Sequence, residues 1–136
     1  MGMTIAEKIL AKNGGLARVR AGDLVTVRVD TTVLFDNNFM PSIWQEILKT
    51  DHPERVVVIL DHRVPAPTIQ SASAHLTARK FVKRFGIRRF HDVGGTQGIS
   101  HQVVADQGYA KPGTVLVCSD SHTCSGGAFN AVARGV

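Results

Sequence analysis

Two short, uninterrupted runs of mostly apolar residues constrain the fold of this chain more than any other feature of its sequence. They span residues 56–60 and residues 114–118, and neither contains a charged side chain. A short run without polar alternation is typical of a strand covered on both faces, as in parallel sheets packed between helices. Such runs are far too short to cross a bilayer, which requires about 20 residues. We therefore expect an α/β fold.

Further strands and helices are expected to alternate with these runs. Val25, Val27 and Val29 alternate with polar residues, which predicts a strand with one exposed face, and residues 87–91 predict another strand. Strands that alternate with helices over short loops favour a largely parallel sheet in a layered α/β/α domain.

Helices are predicted from capping residues, from the helical spacing of apolar side chains and from terminal glycines. The first helix begins at the capping box of Thr4 and Glu7. Three further helices are predicted at residues 41–48, at residues 78–85 and at residues 99–107. A last helix, rich in small residues, is predicted to end at Ala133. No strand is expected after the last helix. The sequence therefore predicts one domain over residues 1–136 that is cut short at its C-terminal end.

Composition narrows the class of protein. Hydrophobic residues make up 43% of the chain and charged residues 20%, values that fit a folded domain rather than a disordered or membrane-spanning chain. The first residues lack the basic and apolar pattern of a secretory signal. Cys118 and Cys124 are too few for a disulfide framework, and their spacing is weak for metal binding. We expect a soluble, cytoplasmic protein.

The charge balance favours anionic partners, because the net charge is +5. Basic pairs at residues 79–80, 83–84 and 88–89 are interleaved with phenylalanines, a pattern that also occurs in nucleic-acid-binding segments. The phenylalanines fall at helical spacing and the basic residues occupy the opposite face. This arrangement favours a solvated or subunit-facing helix over nucleic-acid binding.

Three polar clusters follow the carboxyl ends of predicted strands. They are Asp61–His62, His91–Asp92 with the nearby His101, and Asp120–Ser121–His122. Ligands of open α/β sheets bind outside the carboxyl ends of the strands, so the three clusters are expected to meet in one pocket. A histidine beside a carboxylate is a usual arrangement for proton transfer.

Each cluster also has a purely structural interpretation. Asp61 would cap a turn, His101 would pack on a helix face, and Asp120 with Ser121 would cap a helix. A Ser/His/Asp hydrolase is a further alternative, but no Gly-x-Ser-x-Gly elbow surrounds Ser121. The placement of all three clusters at strand ends favours an active site.

At these clusters the sequence resembles the N-terminal part of the aconitase superfamily, in particular the large-subunit type of 3-isopropylmalate dehydratase. The matching motifs are MTIAEKIL at 3–10, VRVD at 27–30, DHRVP at 61–65, GISHQ at 98–102 and CSDSHTCSGGA at 118–128. They occur in the family's order along nearly all of the chain, and Asp-Ser-His-Thr is the most specific of them.

The resemblance implies an iron–sulfur hydro-lyase that reversibly dehydrates a hydroxy polycarboxylate of the 3-isopropylmalate or aconitate type, the former in leucine biosynthesis. At the matching positions it implies catalytic roles for Asp61, His62, His101, Asp120 and His122. The Asp61–His62 pair would help to protonate the leaving hydroxyl. His101 would lie near the cluster, and the remaining pair would support proton movement.

The resemblance also implies three substrate-binding residues. Ser121 matches a contact to a substrate carboxylate. Asp36 and Asn37 stand where relatives carry an amide followed by an aspartate, around a turn that contacts the substrate. A carboxylate at Asp36 would face an anionic substrate unfavourably unless it is protonated or paired.

The cofactor implied by the resemblance is a [4Fe-4S] cluster held by three cysteines. Those cysteines lie downstream in the family, so Cys118 and Cys124 do not match them, and no metal ligand is expected in this chain. By itself the chain is expected to bind no cluster and to be inactive. The implied partners are a polycarboxylate substrate, a small dehydratase subunit or swivelling domain, and further copies in a homo-oligomer, with no membrane or nucleic acid.

Two alternatives to the enzyme stay open. The first is a non-catalytic anion-binding or RNA-binding remnant, whose RNA binding would weaken steeply as salt rises. The second is a truncated domain that self-associates through an apolar surface left uncovered.

Overall fold

The computed structural model describes residues 2–136, in which short strands alternate with helices. The α-helices are α1 (Ile5–Gly14), α2 (Ile69–Phe85) and α3 (Ser100–Asp106), and the strands are β1 (Thr31–Phe35), β2 (Val56–Ile59), β3 (Arg89–His91), β4 (Val115–Cys118) and β5 (Val132–Gly135). Shorter 3₁₀ helices span Asp36–Phe39, Pro53–Arg55 and Thr123–Phe129. Within this described range, none of the helices has the length and apolar composition needed to cross a membrane.

The strands form one five-stranded sheet in the order β3-β2-β1-β4-β5. The sheet is parallel, with Val57 of β2 opposite Arg89 of β3 and Val115 of β4 opposite Val132 of β5. The predicted α/β fold with a parallel sheet is therefore confirmed.

The chain divides into two compact units. The central unit is Val33–Val103, and the terminal unit comprises residues 2–32 together with Val104–Val136. The organisation of residues 1–136 as one domain stays a prediction.

The core of the central unit is built by β2 and α2. Its buried members are Phe39, Val58, Leu60, Ala74, Ala78, Phe81 and Ile87. Thr68 caps α2 by accepting a hydrogen bond from the N–H of Ser71, and Gly86 ends the helix in the left-handed conformation, with φ of 63°. The helix predicted up to Phe85 is confirmed, and its basic residues are exposed while Phe81 is buried.

In the terminal unit, α1 packs on β4 and β5. The predicted capping box is present, because the Thr4 hydroxyl accepts the N–H of Glu7 and the Glu7 carboxylate accepts the N–H of Thr4. Gly15 ends the helix with φ of 66°.

The strand predicted at residues 25–29 is wrong. Val25, Val27 and Val29 are half-buried whereas Thr26 and Arg28 are exposed, as in an extended segment, yet residues 25–29 pair with no strand of the described chain. The N–H of Arg28 instead donates to the carbonyl of Asn13. The strand lies just beyond, at Thr31–Phe35. The prediction failed because a period of two identifies an extended segment but does not show whether that segment pairs with a neighbouring strand.

The helix predicted from Pro41 to Leu48 is also wrong. After a turn at residues 41–43, residues 44–50 have no regular secondary structure. Trp44 stacks on Phe39 at 4.9 Å and meets the edge of Phe81 at 5.6 Å, whereas Leu48 is 77% exposed. The apolar residues of this segment therefore do not share one buried helical face.

The helix predicted to end at Ala133 is replaced by the 3₁₀ helix Thr123–Phe129 and by strand β5. Asn130 ends the 3₁₀ helix in the left-handed conformation, with φ of 55°. The expectation that no strand follows is therefore wrong, and small residues serve here to bring the 3₁₀ helix close to β5.

That close approach predicts a contrast between two neighbouring glycines. We expect Gly126→Ala to lower the free energy of unfolding by about 1–3 kcal/mol, because its Cβ would lie 2.7 Å from the Cβ of Ala133. Gly127→Ala is the matched control, since its Cβ would meet nothing within 4 Å. Urea unfolding of both variants is the measurement, and equal losses would contradict the packing described here.

Candidate active site

The central unit carries a polar cluster that begins where β1 and β2 end. Asp36 follows β1 directly, and Asp61 lies two residues after the end of β2. Asp61, His62 and Arg63 form a short segment that we call the 61–63 loop.

Asp61 ties the end of β2 to the start of α3. Its Oδ2 atom accepts hydrogen bonds from the N–H of Ser100 at 2.7 Å and from the Ser100 hydroxyl at 2.6 Å. The Asp61 side chain is only 13% exposed, and Ser100 is buried. The half-buried His101 follows Ser100 directly in α3, so the first polar cluster and part of the second lie in one unit.

The His62 ring is fixed by its surroundings but remains accessible. Its Nδ1 atom lies 3.6 Å from Asp61 Oδ2 and 3.9 Å from Asp36 Oδ1. The ring stacks on Phe35, with 4.5 Å between centroids, and its side chain is 35% exposed. An oriented, solvent-accessible imidazole beside carboxylates suits a group that transfers a proton.

Asp36 and Asn37 hold the 61–63 loop in place. The fully buried Asp36 carboxylate accepts the backbone N–H of His62 at 3.0 Å and that of Arg63 at 2.6 Å. The Oδ1 atom of Asn37 accepts a hydrogen bond from Arg63 Nε at 2.8 Å. The Asp36 carboxylate is thus paired with two backbone N–H groups. The substrate contacts of Asp36 and Asn37 stay predictions.

The terminal unit carries the cluster that follows β4. The carboxylate of Asp120, a buried residue, accepts the backbone N–H of His122 at 2.7 Å and lies 3.3 Å from His122 Nδ1. The hydroxyl of Thr123 donates to the Asp120 carbonyl. The His122 side chain is 79% exposed, and the Ser121 hydroxyl lies 3.4 Å from its Nδ1 atom. The predicted pairing of a carboxylate with His122 is present.

A hollow of about 420 Å³ adjoins this cluster within the terminal unit. Asp120, Ser121, Cys124 and Arg134 contribute to its lining. The guanidinium of Arg134 gives the hollow a cation that suits a carboxylate ligand.

The thiols of the chain do not fit an iron–sulfur cluster. Cys118 is buried, and burial raises the pKa of its thiol, which disfavours the thiolate that binds metal. Cys124 is exposed. Two cysteines fall short of the three or four that hold such a cluster, so this chain does not supply the ligand set.

The His91–Asp92 pair is engaged in structural contacts. The buried His91 has its Nδ1 atom 3.1 Å from the Thr96 carbonyl oxygen. Arg79 of α2 donates two hydrogen bonds of 2.7 Å to the Asp92 carboxylate. These bonds are the main cause that lowers the pKa of Asp92.

This ion pair predicts a pH dependence of stability. The pKa of Asp92 in the folded chain lies below its ordinary value of 3.8, so its stabilisation is complete above that pH and is lost as pH falls through the folded pKa. We expect Asp92→Asn to lower the free energy of unfolding near pH 6. The loss should be less than about 1 kcal/mol, because the side chains of Arg79 and Asp92 are both partly exposed.

Unfolding by urea between pH 2 and 6 measures this difference. It should shrink towards the acid end of the range, and Asp51→Asn, an exposed aspartate paired with Lys49, is the control. A difference for Asp92→Asn that stays constant across the range would contradict the assignment.

Sequence reasoning missed several residues of the central cluster. Ser100 and Phe35, which fix Asp61 and His62, were not selected, and neither was His75, which lies 3.9 Å from Asp36. His75 falls on the same helical stripe as the buried Ala78, so a polar residue in an apolar stripe was the available indication.

Comparison with known proteins gives consistent matches. The model of the aconitase family (aconitate hydratase) matches residues 23–136. The 3-isopropylmalate dehydratase large subunit of Mycolicibacterium smegmatis is 54% identical over 136 residues, which are 100% of this chain and 32% of that protein.

Two further relatives come from other organisms. The probable 3-isopropylmalate dehydratase large subunit of Methanothermobacter thermautotrophicus is 42% identical over 100% of this chain and 33% of its own length. The homoaconitase large subunit of Thermus thermophilus is 42% identical over 100% of this chain and 32% of its own length. The chain thus spans about a third of the length of these relatives.

Proposed function

The chain belongs to the aconitase family, and from that premise we propose that it is the N-terminal part of a cytoplasmic hydro-lyase of leucine biosynthesis. Its reaction is the reversible dehydration of 3-isopropylmalate. The observation that carries the proposal is the Asp61–His62 pair, in which a carboxylate held by Ser100 lies 3.6 Å from an accessible imidazole. The relatives named as 3-isopropylmalate dehydratase large subunits support the choice of substrate.

Dehydration breaks a C–O bond and a C–H bond on the neighbouring carbon. The hydroxyl leaves as water with a proton that the Asp61–His62 pair donates, and the proton from the C–H bond passes to a separate base of the enzyme. Asp61 stabilises the protonated imidazole, and Ser100 holds the carboxylate in position through two hydrogen bonds. Phe35 and Asp36 keep the ring in its orientation.

The second polar cluster supports proton movement and substrate binding. Asp120 orients His122, as its hydrogen bond to the backbone and the 3.3 Å separation from Nδ1 suggest. Ser121 and Arg134 line the hollow beside them and bind a carboxylate of the substrate. The net charge of +5 favours the approach of a substrate with two carboxylates.

The [4Fe-4S] cluster and the partner subunit of this enzyme lie outside the chain. The two cysteines of this chain are too few to hold the cluster, which when bound supplies a Lewis acid. A small dehydratase subunit or swivelling domain completes the recognition of the substrate.

A chimera tests this function in cells. This chain replaces the matching segment of the Mycolicibacterium smegmatis large subunit, and a strain that lacks the native subunit receives the chimera. We expect growth without leucine. The same chimera with His62→Ala should not restore growth, whereas a chimera with the exposed His52 changed to alanine should.

Immunoblots compare the amounts of the three chimeras with that of the native subunit. No growth with the unsubstituted chimera at the native level would contradict the proposed function. Growth that His62→Ala leaves intact would contradict the role assigned to the Asp61–His62 pair.

A further inference from the structure

The central unit contains a buried histidine that the proposed chemistry does not use. The His75 side chain, on α2, is 5% exposed. Among residues 2–136, its Nε2 atom is the buried side-chain polar atom that lacks a hydrogen-bond partner. Leaving such an atom unpaired is unfavourable, because burial removes its hydrogen bonds to water without replacing them, so its presence requires an explanation.

Two carboxylates lie near His75, and both come from other segments of the chain. Asp36, on the 3₁₀ helix that packs against α2, places its Oδ2 atom 3.9 Å from His75 Nε2. Asp92 follows β3, and its pKa is lowered chiefly by the hydrogen bond from Arg79 and to a smaller extent by His75. His62, in the 61–63 loop, faces the other oxygen of Asp36. The surroundings of the His75 ring therefore favour an N–H that points towards a carboxylate.

Asp36 lies between two imidazoles, one buried and one accessible. Its Oδ2 atom is 3.9 Å from His75 Nε2, and its Oδ1 atom is 3.9 Å from His62 Nδ1. The same two oxygens accept the backbone N–H groups of His62 and Arg63. A displacement of this carboxylate would therefore move both the backbone and the ring environment of His62.

We propose that His75 is a positioning residue, which acts through Asp36 to fix the 61–63 loop and the orientation of His62. The separation of 3.9 Å exceeds a hydrogen bond, usually about 2.7–3.2 Å, so the attraction between the Nε2–H group and the carboxylate is electrostatic. In a buried environment such an attraction is strong, because water does not screen it. Without it, the groups left to hold the Asp36 carboxylate would all belong to the 61–63 loop, namely the N–H groups of His62 and Arg63 and the His62 ring.

The positional part of this inference stands on geometry alone, whereas its meaning for catalysis rests on the proposed function. If His75 only filled space, any side chain of similar volume would serve. Glutamine and phenylalanine distinguish the two roles, since the glutamine amide offers an N–H near the position of Nε2 and phenylalanine keeps the ring without it.

Amide hydrogen exchange of this chain, followed by NMR, provides the test without substrate or cluster. In His75→Phe we expect the N–H groups of His62 and Arg63 to exchange about tenfold faster, with shifted resonances, as their acceptor loosens. His75→Gln should restore slow exchange. The N–H of Leu60, which donates to the His91 carbonyl, is the internal control and should not change.

Asp36→Asn provides a second arm that keeps the inference falsifiable if His75→Phe folds poorly. It removes the charge with little change in shape, so adding His75→Leu, which lacks the N–H and is smaller than phenylalanine, should produce no further change at His62 or Arg63. Equal changes in the phenylalanine and glutamine variants, or exchange at the two N–H groups that neither variant alters, would overturn the inference. The hydrogen-exchange test measures only local opening of the 61–63 loop, so a negative result would not contradict the proposed dehydratase function. A chimera that fails to support growth would likewise not contradict the role proposed for His75.

Discussion

We expect Asp61→Asn in the purified chimera to lower kcat for the dehydration of 3-isopropylmalate by about 10²–10⁴-fold, the usual contribution of a group in acid–base catalysis. The aspartate lies 3.6 Å from His62 Nδ1 and accepts both hydrogen bonds of Ser100. Asparagine preserves the volume but removes the charge that, in the proposed function, stabilises the protonated imidazole. Steady-state rates, normalised to bound iron, measure the effect.

Asp51→Asn is the control for this prediction, because Asp51 is an exposed aspartate whose side chain pairs with Lys49. It should leave kcat unchanged. A chimera with Asp61→Asn that turns over at the unsubstituted rate would contradict the assignment of a proton-transfer role to this carboxylate.

His122→Gln is expected to separate activity from stability. The His122 side chain is 79% exposed, so its replacement should change the free energy of unfolding by no more than about 0.5 kcal/mol. Its Nδ1 atom lies 3.3 Å from the Asp120 carboxylate, and loss of the imidazole should lower kcat by about 10²–10⁴-fold.

The chain offers a matched control for that variant. His52 is also exposed and also pairs with a carboxylate, since its Nδ1 atom lies 3.0 Å from Glu54 Oε1. His52→Gln should leave both the rate and the stability unchanged. If the two histidine variants behaved alike in the rate assay, the catalytic role of His122 would be refuted.

The elements predicted correctly from the sequence are those whose pattern is local. The buried runs at β2 and β4 need no partner to be recognised, and α2 ends at Gly86, where φ of 63° favours glycine. Residues 25–29 and 41–48 carried similar patterns and were misassigned. Their structure depends on contacts such as those of Trp44 with Phe39 and Phe81, which no local period reveals.

The candidate site also contains residues that the sequence pattern identifies and residues that it does not. Residues directly after strands, such as Asp61 and Asp120, were identified because the carboxyl ends of parallel strands position polar side chains. The partner of Asp61 lies far away along the chain, as the bond from Ser100 to Asp61 spans 39 residues. The link from His62 to Asp36 spans 26 residues, and pairings of this kind follow only from the fold.

Turnover of 3-isopropylmalate by the purified, unsubstituted chimera tests most directly whether this chain supplies the acid–base groups of the proposed dehydratase. We expect a kcat within about tenfold of the parent enzyme, which corresponds to about 1.4 kcal/mol in activation free energy. A chimera with the cluster absorbance of the parent that dehydrates neither 3-isopropylmalate nor the homoaconitase substrate would contradict it.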